Sequence, residues 1–319
     1  MAESQPHANT LTALPDAIVF DVFGTVFDWR SSVTSALENA ISQKLASADI
    51  PPGSLDLSTP AAIHTFAASF AQEWRDSYKS FVVNQAQEAS TATTLYRYKT
   101  IDSHHLTSLR SLLKSYNLIH LFTARETYDL SRIWHFLTPW PDSAPGIATL
   151  RRLCPVGTLS NGNMSLLVDL QRSSGVAFDV TFSAQLWRTN KPAREVYIGA
   201  CELLGVAGDD AWAAYCEGGG EGEVEMTEEA WREKQRGKVA MVAAHIGDLR
   251  SAKACGLTTI YVERPGEDDG GDAVAAYRAG GEDWIDMWVR HADGGIQEVA
   301  RRLSALAEGE KTRTSANGH

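Results

Sequence analysis

Four short stretches carry side chains able to do chemistry, and each follows a run of apolar residues. Asp21 ends Ala17-Ile18-Val19-Phe20, and Ser160-Asn161-Gly162 ends Val156-Gly157-Thr158-Leu159. Lys191-Pro192 comes after Val180-Thr181-Phe182, while His245 and Asp248 come after Val239–Ala243. Short apolar runs bounded by turn signals read as buried parallel strands. In an open parallel sheet ligands bind at the carboxyl ends of the strands. One sheet edge would therefore collect carboxylate, hydroxyl, amide, ammonium and imidazole groups. A carboxylate that ends a buried strand is a candidate nucleophile, because carboxylates form covalent intermediates. A turn cap before Gly24 would also use Asp21, but it would not account for the complementary groups on the other strands.

These groups need a scaffold, and the segments between the runs supply it. Thr259–Val262 is a fifth strand candidate, and Ser165–Ser173, Arg194–Leu204 and Leu249–Cys255 have helical spacing. The alternation predicts an α/β fold, a doubly wound, Rossmann-like parallel sheet. Residues 31–138 have few strand signals and hold helix-like stretches at Ser32–Leu45, Ala61–Phe81 and Asp102–Tyr116, so this span reads as a helical domain inserted after the first strand. The core is then 15–30 plus 139–305, interrupted by an acidic, glycine-rich surface insertion at about 212–236. Residues 1–14 read as disordered and 306–319 as a frayed tail.

Composition narrows the partners. The 319 residues hold 29 Lys+Arg and 40 Asp+Glu, a net charge of -11, which disfavours nucleic acid and anionic membrane surfaces. A few buried cations can still reverse the local field around a small anionic substrate. No apolar run is long enough to span a bilayer, and the first residues lack a basic segment followed by an apolar block, so a cytoplasmic location is expected. Cys154, Cys201, Cys216 and Cys255 are far apart and read as free thiols.

Asp21-Val22-Phe23-Gly24-Thr25, Leu159-Ser160-Asn161-Gly162, Lys191-Pro192 and Ile246-Gly247-Asp248 resemble, in order, the four motifs of the haloacid dehalogenase superfamily, and the inserted helices resemble its cap. The longer runs Asp21–Trp29, Trp140–Ser143, Thr158–Asn163 and Ala243–Leu249 resemble the type II 2-haloacid dehalogenase branch. That resemblance implies attack by Asp21 on C2 of a short 2-haloalkanoate, then hydrolysis of the aspartyl ester to a 2-hydroxy acid. It implies Lys191 as the cation pairing Asp21 and substrate, Thr25 as orienter of Asp21, and Asp248 as orienter of Lys191 or of water. It places Ser160 and Asn161 in a carboxylate cradle, Arg75 of Trp74-Arg75 at the halide, and Tyr197, Phe23 and Val22 around the substrate. It allows a homodimer and calls for no cofactor.

Two positions decide the chemistry. Phosphatases of this superfamily carry a second aspartate two residues after the nucleophile, which protonates a poor leaving alkoxide. Phe23 stands there and cannot donate a proton, whereas a halide departs without one. No second carboxylate closely follows Asp248, so no metal is expected. The other position is a departure: Ala243-Ala244-His245 replaces the family's Ser-x-Asn, whose Asn helps hold the hydrolytic water. His245 could hold or deprotonate that water, and relatives with this pattern resemble defluorinating enzymes. A Mg²⁺-dependent phosphatase for a small metabolite and a catalytically idle binding protein remain the alternatives.

Overall fold

Val19 of strand β1 (Ala17–Phe20) sits between Gly157 of β4 (Val156–Ser160) and Met241 of β6 (Val239–Ala243), so the first strand of the chain is central in the sheet. The computed structural model describes residues 10–47, 57–91, 98–205, 238–268, 275 and 284–316. β5 (Val180–Ser183), β7 (Thr258–Val262) and β8 (Met287–Val289) complete a six-stranded parallel sheet of order β5-β4-β1-β6-β7-β8. Side chains alternate across it, as the two-residue period of a strand demands. Ile18 and Phe20 join Leu166, Leu170, Val299 and Leu303 in one buried cluster. Val19 joins Met241, Val196, Tyr197 and Leu249 in the other. Helices α5 (Ser143–Leu150), α6 (Met164–Ser174) and α9 (Gly295–Ala316) cover the first face, while α7 (Arg194–Leu203) and α8 (Ile246–Ala254) cover the second. This is the doubly wound α/β architecture expected from the alternation of runs.

The chain leaves the core through β2 (Phe27–Asp28) and returns through β3 (Thr138–Pro139), which pair antiparallel. Between them lie α1 (Trp29–Ser47), α2 (Pro60–Thr91), α3 (Ile101–Ser115), α4 (Ala124–Ser131) and a 3₁₀ turn at Arg132–His135. These form the helical cap. Among the described residues no helix is long and apolar enough to cross a membrane.

Four expectations about the fold need correction. β8 was not expected, because Met-Trp-Val is too short to stand out. α5 was not expected either, since Pro145 and Gly146 mask its helical spacing. The tail does not fray at 306: α9 runs through Ala316, with Leu306 against the core and Ala307 buried. At the other end, Thr10 bonds the Asp286 carbonyl, and Leu11 and Leu14 pack on the core, so residues 10–14 are ordered. Residues 1–9, the acidic insertion at 212–236 and Cys216 lie outside the described residues. Cys154, Cys201 and Cys255 are free thiols.

The returning segment Trp140–Ser143 braces the turn after β1. Trp140 Nε1 donates to the Gly24 carbonyl at 2.9 Å and Ser143 Oγ to the Val26 carbonyl at 2.8 Å. Arg264 Nε donates to the Thr25 carbonyl at 3.0 Å, and its two terminal nitrogens bind both oxygens of Asp142 at 2.7 Å. Arg264 is buried, so Asp142→Ala would strand its guanidinium. We expect that variant to lose about 3 kcal/mol of stability in urea titration, the order found when one partner of a buried pair is removed.

Candidate active site

β1 lies where the strand order reverses, and Asp21 emerges from its carboxyl end into that crevice. The carboxylate is buried and fully partnered. Thr25 Oγ1 donates to Asp21 Oδ2 at 2.9 Å and itself accepts from the Ala244 N–H at 2.9 Å. Lys191 Nζ donates to Asp21 Oδ1 at 2.9 Å and also binds Asp248 Oδ2. His245 Nδ1 lies 3.1 Å from Asp21 Oδ2. Burial opposes ionisation of Asp21, but the Lys191 ammonium and the His245 hydrogen bond outweigh it and hold the carboxyl well below its usual range. Burial likewise disfavours the charge on Lys191, yet Asp21 and Asp248 overcome it and raise the ammonium above its ordinary value. The nucleophile candidate is thus an ionised carboxylate fixed from three sides.

Asp248 orients Lys191 through Oδ2, and Tyr197 OH donates to its Oδ1 at 2.6 Å. Tyr197 is fully buried, and its hydroxyl is committed to Asp248. It positions Asp248, against the expectation that it meets substrate. Val22 also departs from expectation: its side chain lies in the core and its carbonyl closes the turn to Val26 and Phe27. Ser160 and Asn161 sit at the end of β4. Ser160 Oγ accepts from the Gly162 N–H at 3.1 Å. Asn161 grips the Lys191 backbone, accepting its N–H at 2.7 Å and donating to its carbonyl at 3.3 Å. The motif-two loop therefore sets the height of the lysine.

Arg75 comes from α2 of the cap and is buried. Among the described residues it has no ion-pair partner, and its Nε has no hydrogen-bond partner. Its guanidinium lies 4.7 Å from the Tyr78 ring centre, 5.4 Å from Trp29 and 5.8 Å from Phe23. A surface salt-bridge arginine would show the opposite pattern. A buried guanidinium in an aromatic cage with an open donor is suited to an anion. Phe23 therefore does two things. It packs edge-on against Trp134, with 6.2 Å between ring centres, and it walls the cage with a ring that holds no proton to give.

Sequence reasoning missed two residues here. Glu267 Oε2 lies 2.8 Å from His245 Nε2, and its Oε1 accepts from Trp29 Nε1 at 2.6 Å. Gly24 has φ +84, where a side chain is strained, and a Cβ there would lie 2.5 Å from the Glu267 carboxyl carbon, so glycine lets that carboxylate come close to the turn. A signal was present, since Glu267 follows the carboxyl end of β7 as the other site groups follow their strands. Tyr78 lies one turn beyond Arg75 on α2, and its hydroxyl meets the Asn161 side chain; burial pushes that phenol upward. His245 is thus bonded on both nitrogens to carboxylates. Burial works against its charge, but the bonds to Asp21 and Glu267 outweigh it and raise it to about 10. In this state it is an imidazolium and cannot accept a proton, which corrects the simplest form of the expectation that it is a resident base.

The donor set also bears on a divalent ion, which phosphatases of this fold use. Both oxygens of Asp21 and both of Asp248 already face Lys191, His245, Thr25 or Tyr197. A cation between these carboxylates would sit against an ammonium and an imidazolium. The residues do not fit it.

No curated protein matches the chain. Among solved structures, a defluorinating L-2-haloacid dehalogenase is 26% identical with a TM-score of 0.64, over 91% of this chain and 95% of its own. A second L-2-haloacid dehalogenase is 26% identical with a TM-score of 0.65, over 91% and 99%. The L-2-haloacid dehalogenase from Xanthobacter autotrophicus shares the fold at 21% identity and a TM-score of 0.60, over 91% and 99%. The haloacid dehalogenase-like hydrolase model matches residues 15–214, which spans Asp21, the cap, Ser160 and Lys191. The chain belongs to the haloacid dehalogenase-like hydrolase family.

Proposed function

We propose that the protein is a hydrolytic dehalogenase of short 2-haloalkanoic acids that works through an aspartyl ester on Asp21. The observation that carries this reading is the pairing of a cation-fixed carboxylate with an acid-free neighbour, Phe23, under a buried guanidinium with an open donor. The likeness to two L-2-haloacid dehalogenases at 26% identity supports it.

In the first step an Asp21 oxygen attacks C2 opposite the halogen, the C–O bond forms, and the carbon–halogen pair departs as halide toward Arg75. Configuration at C2 inverts. Lys191 and the donors at Ser160 and Asn161 balance the substrate carboxylate, offsetting its repulsion by Asp21. Esterification then removes the negative charge that faced His245 Nδ1. The raised affinity of His245 for its proton falls, and the proton passes to solvent. Neutral His245 takes a proton from the water attacking the ester carbonyl, and Glu267 stabilises the imidazolium that forms. His245 returns that proton to the departing 2-hydroxy acid oxygen and takes up the one released by the regenerated Asp21 carboxyl. The balance is one water consumed, with one halide and one proton released.

Fluoroacetate belongs in the substrate screen, because a relative is described as defluorinating and His245 stands where other members carry asparagine. The direct test is halide release from fluoro-, chloro- and bromoacetate and L-2-chloropropionate, with EDTA and Mg²⁺ arms. We expect the halide rate to be the same in both arms and phosphate release from phosphomonoesters to stay at background. Phosphate release that needs Mg²⁺ and exceeds halide release would establish the phosphatase alternative instead.

A further inference from the structure

Behind the 160–163 loop lies a second charged cluster that the proposed chemistry does not use. Its centre is His135, wholly buried in the 3₁₀ turn where the cap ends. His135 Nε2 lies 2.8 Å from Asp102 Oδ1 and Nδ1 lies 2.8 Å from Asp169 Oδ2. Arg132, one 3₁₀ turn earlier, reaches the same carboxylates, at 3.2 Å to Asp102 and 3.0 Å to Asp169. Asp102 stands in the first turn of cap helix α3, and Asp169 belongs to core helix α6.

Asn163 completes the cluster. It stands at the N-terminal boundary of α6, two residues after Asn161. Its Nδ2 donates to Asp102 Oδ2 at 3.0 Å, and its Oδ1 accepts from the Asp102 N–H at 3.1 Å. A two-bond ring thus joins the first turn of a cap helix to the motif-two loop. From there the contacts continue to the reacting centre, because Asn161 holds the Lys191 backbone and Lys191 binds Asp21. In the other direction, Trp134 stacks on Trp29 and meets Phe23 edge-on, and both of those rings border Arg75.

We propose that Asp102 is a positioning residue that ties the cap to the motif-two loop, so that the placement of Arg75 and of Lys191 is set together. Its kinetic consequence rests on the dehalogenase reading; its structural consequence does not. A residue that only stabilised the fold would loosen the protein uniformly. A tie across this seam would loosen its two ends selectively.

The test is hydrogen–deuterium exchange of the full chain with Asp102→Asn, alongside halide release. We expect amides of 160–163 and 72–78 to exchange at least tenfold faster, with β6 and β7 unchanged. We expect kcat/KM for chloroacetate to fall at least tenfold. The reciprocal double variant Asp102→Asn/Asn163→Asp restores an amide–carboxylate pair across the seam and should recover activity to within about threefold. Asn163→Ala, which removes both bonds of the ring and leaves Asp102 to His135 and Arg132, carries the same exchange test should Asp102→Asn fail to fold. Unchanged exchange at 160–163, uniformly faster exchange, or a double variant no better than the single ones would overturn the proposal. If the wild-type protein releases no halide, the dehalogenase reading falls while the exchange result still decides the role of Asp102.

Discussion

Asp21→Asn should abolish halide release, lowering the rate by on the order of 10⁴–10⁶-fold, the scale seen when a covalent nucleophile is removed. The substitution keeps the shape of the side chain and its bond to Thr25, so the loss would report chemistry and not collapse of the site. A coupled experiment separates covalent catalysis from direct attack by water. In H₂¹⁸O with enzyme in excess, the first turnover should place the label in Asp21, since water attacks the ester carbonyl and the hydroxy-acid oxygen comes from the aspartate. Label appearing first in the product would remove the ester from the mechanism. Residual activity of Asp21→Asn near the wild-type level would remove Asp21 itself.

The second large effect should fall on ester hydrolysis. His245→Gln should leave the first step working and slow the second by about 10²–10⁴-fold, the usual worth of a positioned acid–base group. The visible result is a burst of about one equivalent of halide, followed by an alkylated Asp21 detectable by intact mass. No burst and no adduct, with the steady rate unaffected, would take His245 out of the second step. The pH profile gives an independent reading. In the free enzyme the His245 proton is held up to about 10, because its bonds to Asp21 and Glu267 outweigh the burial that opposes its charge. We therefore expect kcat/KM, which reports free enzyme, to be flat across neutrality and to fall as pH rises through that value. Glu267→Gln removes one negative partner, so the fall should begin at lower pH. Stability follows the same sign. A folded-state value above the unfolded 6.5 means the contribution is complete below pH 6.5 and is lost progressively toward pH 10. The paired carboxylates behave oppositely: Asp21 is held low, so its contribution is present above about pH 4 and is lost on acidification.

Much of this was legible in the chain because it rests on short-range patterns. The apolar runs at Ala17–Phe20 and Val239–Ala243 are strands as bounded, since a buried parallel strand has no polar face and ends where the first charge appears. Asp21, Lys191, Asp248, Thr25 and His245 converge because each follows a strand whose carboxyl end lies at one edge. What was not legible depends on contacts between distant segments. Glu267 reaches His245 across 22 residues and Trp29 across 238, and only the folded turn at Gly24 shows that a carboxylate fills that space. The resemblance could place Tyr197 near the site, but whether its hydroxyl faced substrate or Asp248 depended on the packing of α7. That Arg75 is buried among three rings likewise depends on contacts between α1, α2 and the turn after β1, which no local pattern shows.

The 3₁₀ turn at Arg132–His135 has a further consequence. With three residues per turn, Arg132 and His135 share one side while Trp134 points about a third of a revolution away. A single inserted or deleted residue would swing His135 off its carboxylates and carry the Trp134 ring out of its stack at once. These four positions are a fixed-length hinge pin, and members of the family that preserve this seam should vary in cap size everywhere except there.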